Sequence, residues 1–201
     1  MSNKLALVLS GGFVKGAAHI SIAEEMYNRG YVPDVFVGTS IGAVFAVMLG
    51  LYDDPVKVKE LSLKFIKSHI WQQFLSFDIF SKAGLLESKQ TVKLNAKEAG
   101  FMEKTFRDLK KLVYITATDL NTGKQIIFCK ESNMLLTEAL EASISFPVIF
   151  KPKKAKIGSK TMALADGCIR ENCPISVAAR IAGVERIIAC DLGYCGQAKG
   201  D

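Results

Sequence analysis

Histidine is scarce in this chain: His19 and His69 are the only two among 201 residues. Clusters of imidazole ligands are therefore excluded, and a histidine base in the second half of the chain has no residue to supply it. Long apolar runs are lacking too. The longest, Ile41 to Tyr52, is about a dozen residues, well short of the roughly 20 that cross a bilayer. The first apolar run, Leu5 to Leu9, follows Met1-Ser-Asn-Lys and is too short for the core of a secretory signal. Five cysteines, Cys129, Cys168, Cys173, Cys190 and Cys195, form an odd set with no such signal ahead of them. That favours a reducing compartment over a disulfide framework, and a cytoplasmic location is expected, with peripheral membrane contact left open.

What is present is the balance of a chain that packs. Hydrophobic residues at 49% and charged residues at 23% exclude a disordered or low-complexity protein. The length suits one domain of ordinary size, spanning residues 1–201. A net charge of +6 would suit an anionic partner such as a membrane surface or a nucleic acid, but selects neither.

Leu5-Ala-Leu-Val-Leu ends in Ser10-Gly11-Gly12, the pattern of a strand buried on both faces in a parallel sheet. From Gly16 to Arg29 the apolar period is helical, with Asn28-Arg29-Gly30 as a stop. Val35-Phe-Val is the second strand, and Ile41 to Leu49, apolar almost all round, is a buried helix. Strand, helix, strand, helix in this order predicts a βαβ unit with a right-handed crossover. Residues 53–103 read as helical, with an aromatic run at Trp71, Phe74, Phe77 and Phe80 that either packs on the sheet or meets lipid. A hairpin over Leu112 to Cys129, a helix near Thr137 to Ala142, a strand ending at Ala165, a helix from Ile175 to Ala182 and a strand from Arg186 to Cys190 complete an α/β layer sandwich.

Gly38-Thr39-Ser40-Ile41-Gly42 fits the nucleophile elbow, in which a serine sits on a sharp strand-to-helix turn. Gly38 and Gly42 flank it because a β-carbon at either place would hold strand and helix apart. Ser10-Gly11-Gly12-Phe13-Val14-Lys15-Gly16 is a glycine-rich loop suited to donating backbone N–H groups to an oxyanion. A phosphate cradle is the rival reading. It is disfavoured, because a dinucleotide fingerprint wants glycine at Phe13 and a P-loop wants Gly-Lys-Ser/Thr where Gly16-Ala17-Ala18 stands. Serine hydrolases built on an elbow usually place the histidine late in the chain, and none lies there; the base for Ser40 is expected to be a carboxylate. Asp166, at a strand end before Gly167, is the candidate, with a turn-capping role as the alternative. His19 and His69 are expected to be structural or solvated. The spacings Cys168-x4-Cys173 and Cys190-x4-Cys195 are too wide, and Cys190 too apolar in setting, for a structural zinc site, so no metal is expected. The lysines at 151, 153, 154, 156 and 160 either face anionic lipid or protect a hairpin edge.

Together these segments resemble the patatin-like phospholipases: the loop from Ser10 to Gly16 with His19 downstream, the elbow around Ser40, Ser143-Ile-Ser-Phe-Pro147, and Asp166-Gly167-Cys168 followed by Asn172-Cys173-Pro174. The four blocks occur in that family's order. The resemblance implies a three-layer α/β sandwich with a mostly parallel central sheet. It also implies a lipid acyl hydrolase with a Ser40–Asp166 dyad, an oxyanion hole around Gly11, Gly12 and Phe13, and support from Lys15, Gly16, Gly38, Gly42 and Gly167. No cofactor, metal or nucleic acid is implied; the expected partner is a phospholipid or other acyl ester, with peripheral contact with an anionic membrane surface left open. A catalytically silent lipid-binding protein on the same fold is the alternative. Phe13, Lys15 and Cys168 depart from the family's commonest residues, where a third glycine, an arginine and a small residue stand. Family members commonly continue past the point equivalent to Asp201, which leaves open a shortened form lacking C-terminal elements.

Overall fold

Each early apolar run becomes a strand or helix where the pattern puts it. The computed structural model describes residues 3–66, 88–147, 149–157 and 160–193. The aromatic run from Trp71 to Phe80, His69 and Cys195 lie outside the described residues. Strand β1 (Lys4–Leu9) leads through a short 3-10 turn, Phe13–Gly16, into helix α1 (Ala17–Asn28). Gly30, at φ 79°, ends α1: its N–H and that of Tyr31 bond the Tyr27 and Met26 carbonyls, a Schellman pattern that needs a left-handed residue there. Strand β2 (Val35–Thr39) runs into helix α2 (Ile41–Tyr52), and helix α3 (Pro55–Ile66) follows. Helix α4 (Ser88–Glu98), strand β3 (Leu112–Asp119), strand β4 (Gln125–Phe128) and helix α5 (Leu136–Ser143) come next. Strands β5 (Lys153–Ile157), β6 (Lys160–Asp166) and β7 (Val184–Cys190) complete the sheet.

The seven-stranded sheet has the order β5-β6-β3-β2-β1-β7, with β4 joined to β3 beside this path. Strands β3, β2, β1 and β7 are parallel, as the βαβ reading requires, while β4, β5 and β6 pair antiparallel at one side. In β1 the side chains Leu5, Leu7 and Leu9 face the main core with Ala43, Val47 and Leu49, and Ala6 and Val8 face the other side. Both faces are buried, which is why β1 reads as an unbroken apolar run. The layers are unequal. Helices α1 to α5 contribute to the main core, whereas among the described residues the opposite face is covered chiefly by a single-turn helix, Ile175–Ala178. The expected helix to Ala182 is shorter because successive tight turns, from Arg180 to Val177 and from Ile181 to Ala178, carry the chain to Gly183 at φ 81°. No helix among the described residues is long and apolar enough to cross a membrane.

The pairing of β3 decides where the site forms. Residues Ile115 to Thr118 pair with β4, so β4 occupies one edge of β3. The other edge is shared: Leu112 to Thr116 pair with β2, and Ala117 to Asp119 pair antiparallel with β6. Strands β2 and β6 therefore approach each other end to end, Thr39 opposite Thr116 and Asp166 opposite the next residue, Ala117. The C-terminal ends of two strands far apart in sequence meet at one point.

Candidate active site

Ser40 stands at that meeting point, at the junction of β2 and α2, with φ 54° and ψ −124°. A left-handed φ at a residue with a side chain costs about 1–3 kcal/mol and persists only where neighbours impose it. Gly38 and Gly42 are two such neighbours. A Cβ at Gly38 would collide with the Gly42 carbonyl and the Ala43 backbone, and one at Gly42 with the Leu9 and Ser10 carbonyls. The sharp turn is thus possible only with glycine on both sides of the serine.

Asp166 ends β6. Ser40 Oγ–H donates to Asp166 Oδ2 at 2.6 Å, and Cys168 N–H donates to Oδ1 at 2.9 Å. Thr118 Oγ1–H donates to the Asp166 carbonyl at 3.0 Å, fixing the strand end. Gly167 lets the chain turn there: a Cβ would meet Thr116 Oγ1 and the Thr116 carbonyl. Burial raises the Asp166 carboxyl above the ordinary aspartate range, opposed by the hydrogen bonds from Ser40 and Cys168. Cys168, beside it, is pushed up to about 12, by burial first and then by the Asp166 charge.

Two further residues hold this pair. Ser143, fully buried at the end of α5, accepts the Ser40 N–H on its hydroxyl at 2.9 Å. Two positions on, the Ser145 carbonyl accepts the Asp166 N–H at 3.0 Å. One three-residue segment therefore grips the backbone of both members of the pair. The roles of Ser143 and Ser145 have no local sequence signal; only the order of the blocks sets their segment apart.

The glycine loop lies against the same point. His19 is buried, and its Nε2–H donates to the Ser10 carbonyl at 2.8 Å, which fixes a proton on Nε2. Burial lowers its pKa, opposed by the hydrogen bond to the Ser10 carbonyl, which raises it. The Leu192 N–H donates to Ser10 Oγ at 2.7 Å, and Lys15 Nζ donates to the Leu192 carbonyl at 3.3 Å. The Gly11 N–H is engaged by the Asn172 carbonyl at 3.1 Å, and the Gly11 carbonyl accepts from Asn172 Nδ2 at 3.3 Å. Among the described residues the Gly12 N–H meets no acceptor. A Cβ at Gly11 would lie 2.6 Å from Asn172 Oδ1 and 3.3 Å from Ser40 Cβ, which is how closely the loop packs on the serine. Gly16 serves similarly against the Ile41 side chain. Phe13, where the sequence departs from the family's glycine, sits at φ 51° and is 44% exposed. Every glycine-loop, elbow and aspartate residue named from the sequence is thus gathered within one region. Asn172 is the partner that residue-by-residue reading misses, because its contact with Gly11 spans 161 positions.

Ser40, Asp166 and the loop open on a cavity of about 460 Å³ with mainly apolar walls, including Ile41, Val44, Phe45, Ile144 and Phe150. A preformed apolar cleft with a few convergent polar groups is the usual form of a small-molecule site.

A family profile for patatin-like phospholipase matches residues 7–179. Among relatives, the chain is 26% identical over 201 residues to patatin-like phospholipase domain-containing protein ZK370.4 of Caenorhabditis elegans, covering 95% of this chain and 14% of that protein. It is 27% identical over 220 residues to triacylglycerol lipase 4 of Saccharomyces cerevisiae, covering 94% of this chain and 24% of that protein. The chain thus spans a quarter or less of the length of these relatives. Among solved structures, VipD from Legionella pneumophila superposes with a TM-score of 0.62 at 14% identity, covering 94% of this chain and 49% of that one, which speaks for the fold. With a matched profile over most of its length, the chain belongs to the patatin-like phospholipase family.

Proposed function

We propose that this chain is a lipid acyl hydrolase, of phospholipase A, lysophospholipase or related esterase type, acting through a Ser40–Asp166 dyad and an acyl-enzyme. The observation that carries the reading is the 2.6 Å hydrogen bond between Ser40 and a buried carboxylate, on a strained elbow at the edge of an apolar cavity. Asp166 accepts the Ser40 hydroxyl proton as Oγ attacks the ester carbonyl. The Gly12 N–H, within the Gly11–Phe13 loop, stabilises the oxyanion, a well-placed donor being worth about 3 kcal/mol in the transition state; the Gly11 N–H stays with Asn172. The tetrahedral intermediate collapses, the leaving alcohol takes the proton from Asp166, and the acyl group stays on Ser40. Asp166 then accepts a proton from water, whose oxygen attacks the acyl carbon; collapse breaks the Ser40 Oγ–carbon bond, releases the fatty acid and returns the proton from Asp166 to Ser40. A raised carboxyl pKa suits this work, because an ordinary aspartate is a weak base near neutral pH. The chemistry uses no metal or cofactor.

Membrane contact is the companion proposal. Phe13, Val14 and Phe146 line the cavity and are each more than 40% exposed, an apolar lip suited to insertion among lipid. Of the lysines, Lys153 pairs with Glu141 at 2.5 Å, and Lys160 lies six positions from Asp166 along β6, about 20 Å away. The cations proposed to meet anionic headgroups are Lys15, in the cavity wall, and exposed Lys151, next to the lining residue Phe150, while Lys154 and Lys156 lie on the edge strand β5. Binding to vesicles should rise with anionic lipid and fall with salt; binding indifferent to both refutes the electrostatic part.

A second reading, a silent lipid binder, draws on the engaged Gly11 N–H and the strained Phe13. Fatty-acid release from phosphatidylcholine–phosphatidylglycerol vesicles separates the two. The hydrolase releases fatty acid and loses this in Ser40→Ala; a protein that binds fatty acid, releases none and forms no acyl-enzyme by mass is the silent binder.

A further inference from the structure

The wall of the cavity has a direction. Ile41, Val44, Phe45 and Met48 all line it. They recur at i, i+3, i+4 and i+7, so they form one continuous stripe along α2, starting beside Ser40. Ile41 to Met48 is seven steps along the helix, about 10 Å. At the other end of α2 the Tyr52 hydroxyl donates to the Ala99 carbonyl at 2.7 Å, tying the end of α4 to the end of α2. Ala99 and Glu98 line the cavity at that end, and Glu98 is exposed. The apolar track therefore begins at the serine and finishes at a carboxylate in water.

An extended chain advances roughly 1.2 Å per bond, the peptide backbone's 3.3–3.6 Å per residue divided over three bonds, so about 10 Å accommodates about nine carbons. We infer that the cavity measures the acyl chain: the chain carried by Ser40 lies along the Ile41–Met48 stripe, and Met48, with Glu98 beyond it, limits useful length to about nine carbons. This rests on the hydrolase reading for the ester chemistry, but the track itself is a binding feature. Each methylene laid on the stripe raises kcat/KM about fourfold, the equivalent of about 0.8 kcal/mol per buried methylene. Methylenes beyond Met48 meet Glu98 and solvent and add nothing.

The test is kcat/KM for monomeric p-nitrophenyl esters of graded length, from acetate to tetradecanoate, together with binding of the corresponding free fatty acids to Ser40→Ala. Both series, kcat/KM in the wild-type chain and binding in Ser40→Ala, should climb about fourfold per methylene and level off near about nine carbons. Val44 is three residues, about 4.5 Å, along the stripe, so Val44→Phe, which fills space rather than emptying it, should move the break to about four carbons. Met48→Ala should move it outward by two or more carbons. A climb continuing unbroken to tetradecanoate, a series flat from acetate, or a break unmoved in Val44→Phe overturns the inference. Hydrolysis without a break leaves the hydrolase reading standing and removes the ruler. A break in fatty-acid binding without hydrolysis of any ester does the reverse.

Discussion

Replacing Ser143 by alanine removes one hydroxyl and leaves the Ser40 N–H without its acceptor. Ser143 is fully buried, and Ser40 holds a left-handed conformation that its neighbours must enforce. An unsatisfied buried donor costs about 1–3 kcal/mol. For a domain of this size that corresponds to roughly 2–4 °C per kcal/mol, so Tm should fall by roughly 2–12 °C. The same loss frees Ser40 to leave the position facing Asp166. Fluorophosphonate labelling of Ser40 and kcat should therefore fall by more than KM changes. Ser145→Ala is the control: it deletes a hydroxyl bonded to the Glu141 carbonyl at 2.6 Å at the same helix end but keeps the partner of the Ser40 amide. It should lower Tm and spare kcat. Thermal unfolding and steady-state kinetics on both variants decide. If Ser143→Ala unfolds within about 1 °C of wild type with unchanged labelling, the grip of α5 on the elbow carries no energy and the reasoning fails.

Asp166→Asn should stabilise the fold above about pH 5. Burial raises the folded-state pKa, so this group favours folding fully below the unfolded value near 4 and loses that contribution as pH rises through the folded value. A variant equally stable or weaker than wild type at pH 7 in urea unfolding contradicts this. The acid limb of kcat/KM against pH should lie above the ordinary aspartate value, and a limb near 4 argues that Asp166 is not the base. Cys168, pushed up to about 12, should react with iodoacetamide at pH 8 some thousand-fold more slowly than a free cysteine of pKa about 8.5; peptide mapping that finds it alkylated at the free rate refutes the buried setting. Phe13→Gly should stabilise by up to about 1.5 kcal/mol, since a left-handed residue with a side chain costs about 1–2 kcal/mol and glycine's own chain entropy about 0.5–1. A loss above about 1 kcal/mol in urea would show that the ring's contacts outweigh the strain.

The elbow was legible in the sequence because its requirement is local: two glycines at fixed offsets from Ser40, a buried strand before and a buried helix after. The same holds for β1, whose unbroken apolar run reflects burial on both faces, and for Gly30, whose left-handed turn ends α1. The carboxylate candidate, Asp166, was reached by a different route, through the shortage of histidine. What no local pattern carries is the meeting itself. Strands β2 and β6 share one edge of β3, and only that non-local pairing places Asp166 against Ser40. Ser143 and Asn172 were missed as individual actors for the same reason, since their partners are 103 and 161 positions away. The single-turn helix at Ile175 fell short of expectation because its apolar residues suit either a helix or a chain of tight turns, and the turns win on the way to Gly183.

The central claim is that Ser40 is a nucleophile activated by Asp166. Intact-mass and peptide analysis after treatment with a fluorophosphonate tests it most directly. The account predicts one adduct, on the Ser40 peptide, absent in Ser40→Ala and formed about 10²–10⁴-fold more slowly in Asp166→Asn, the usual contribution of a positioned general base. An adduct on another residue, no adduct at all, or an undiminished labelling rate in folded Asp166→Asn would contradict it.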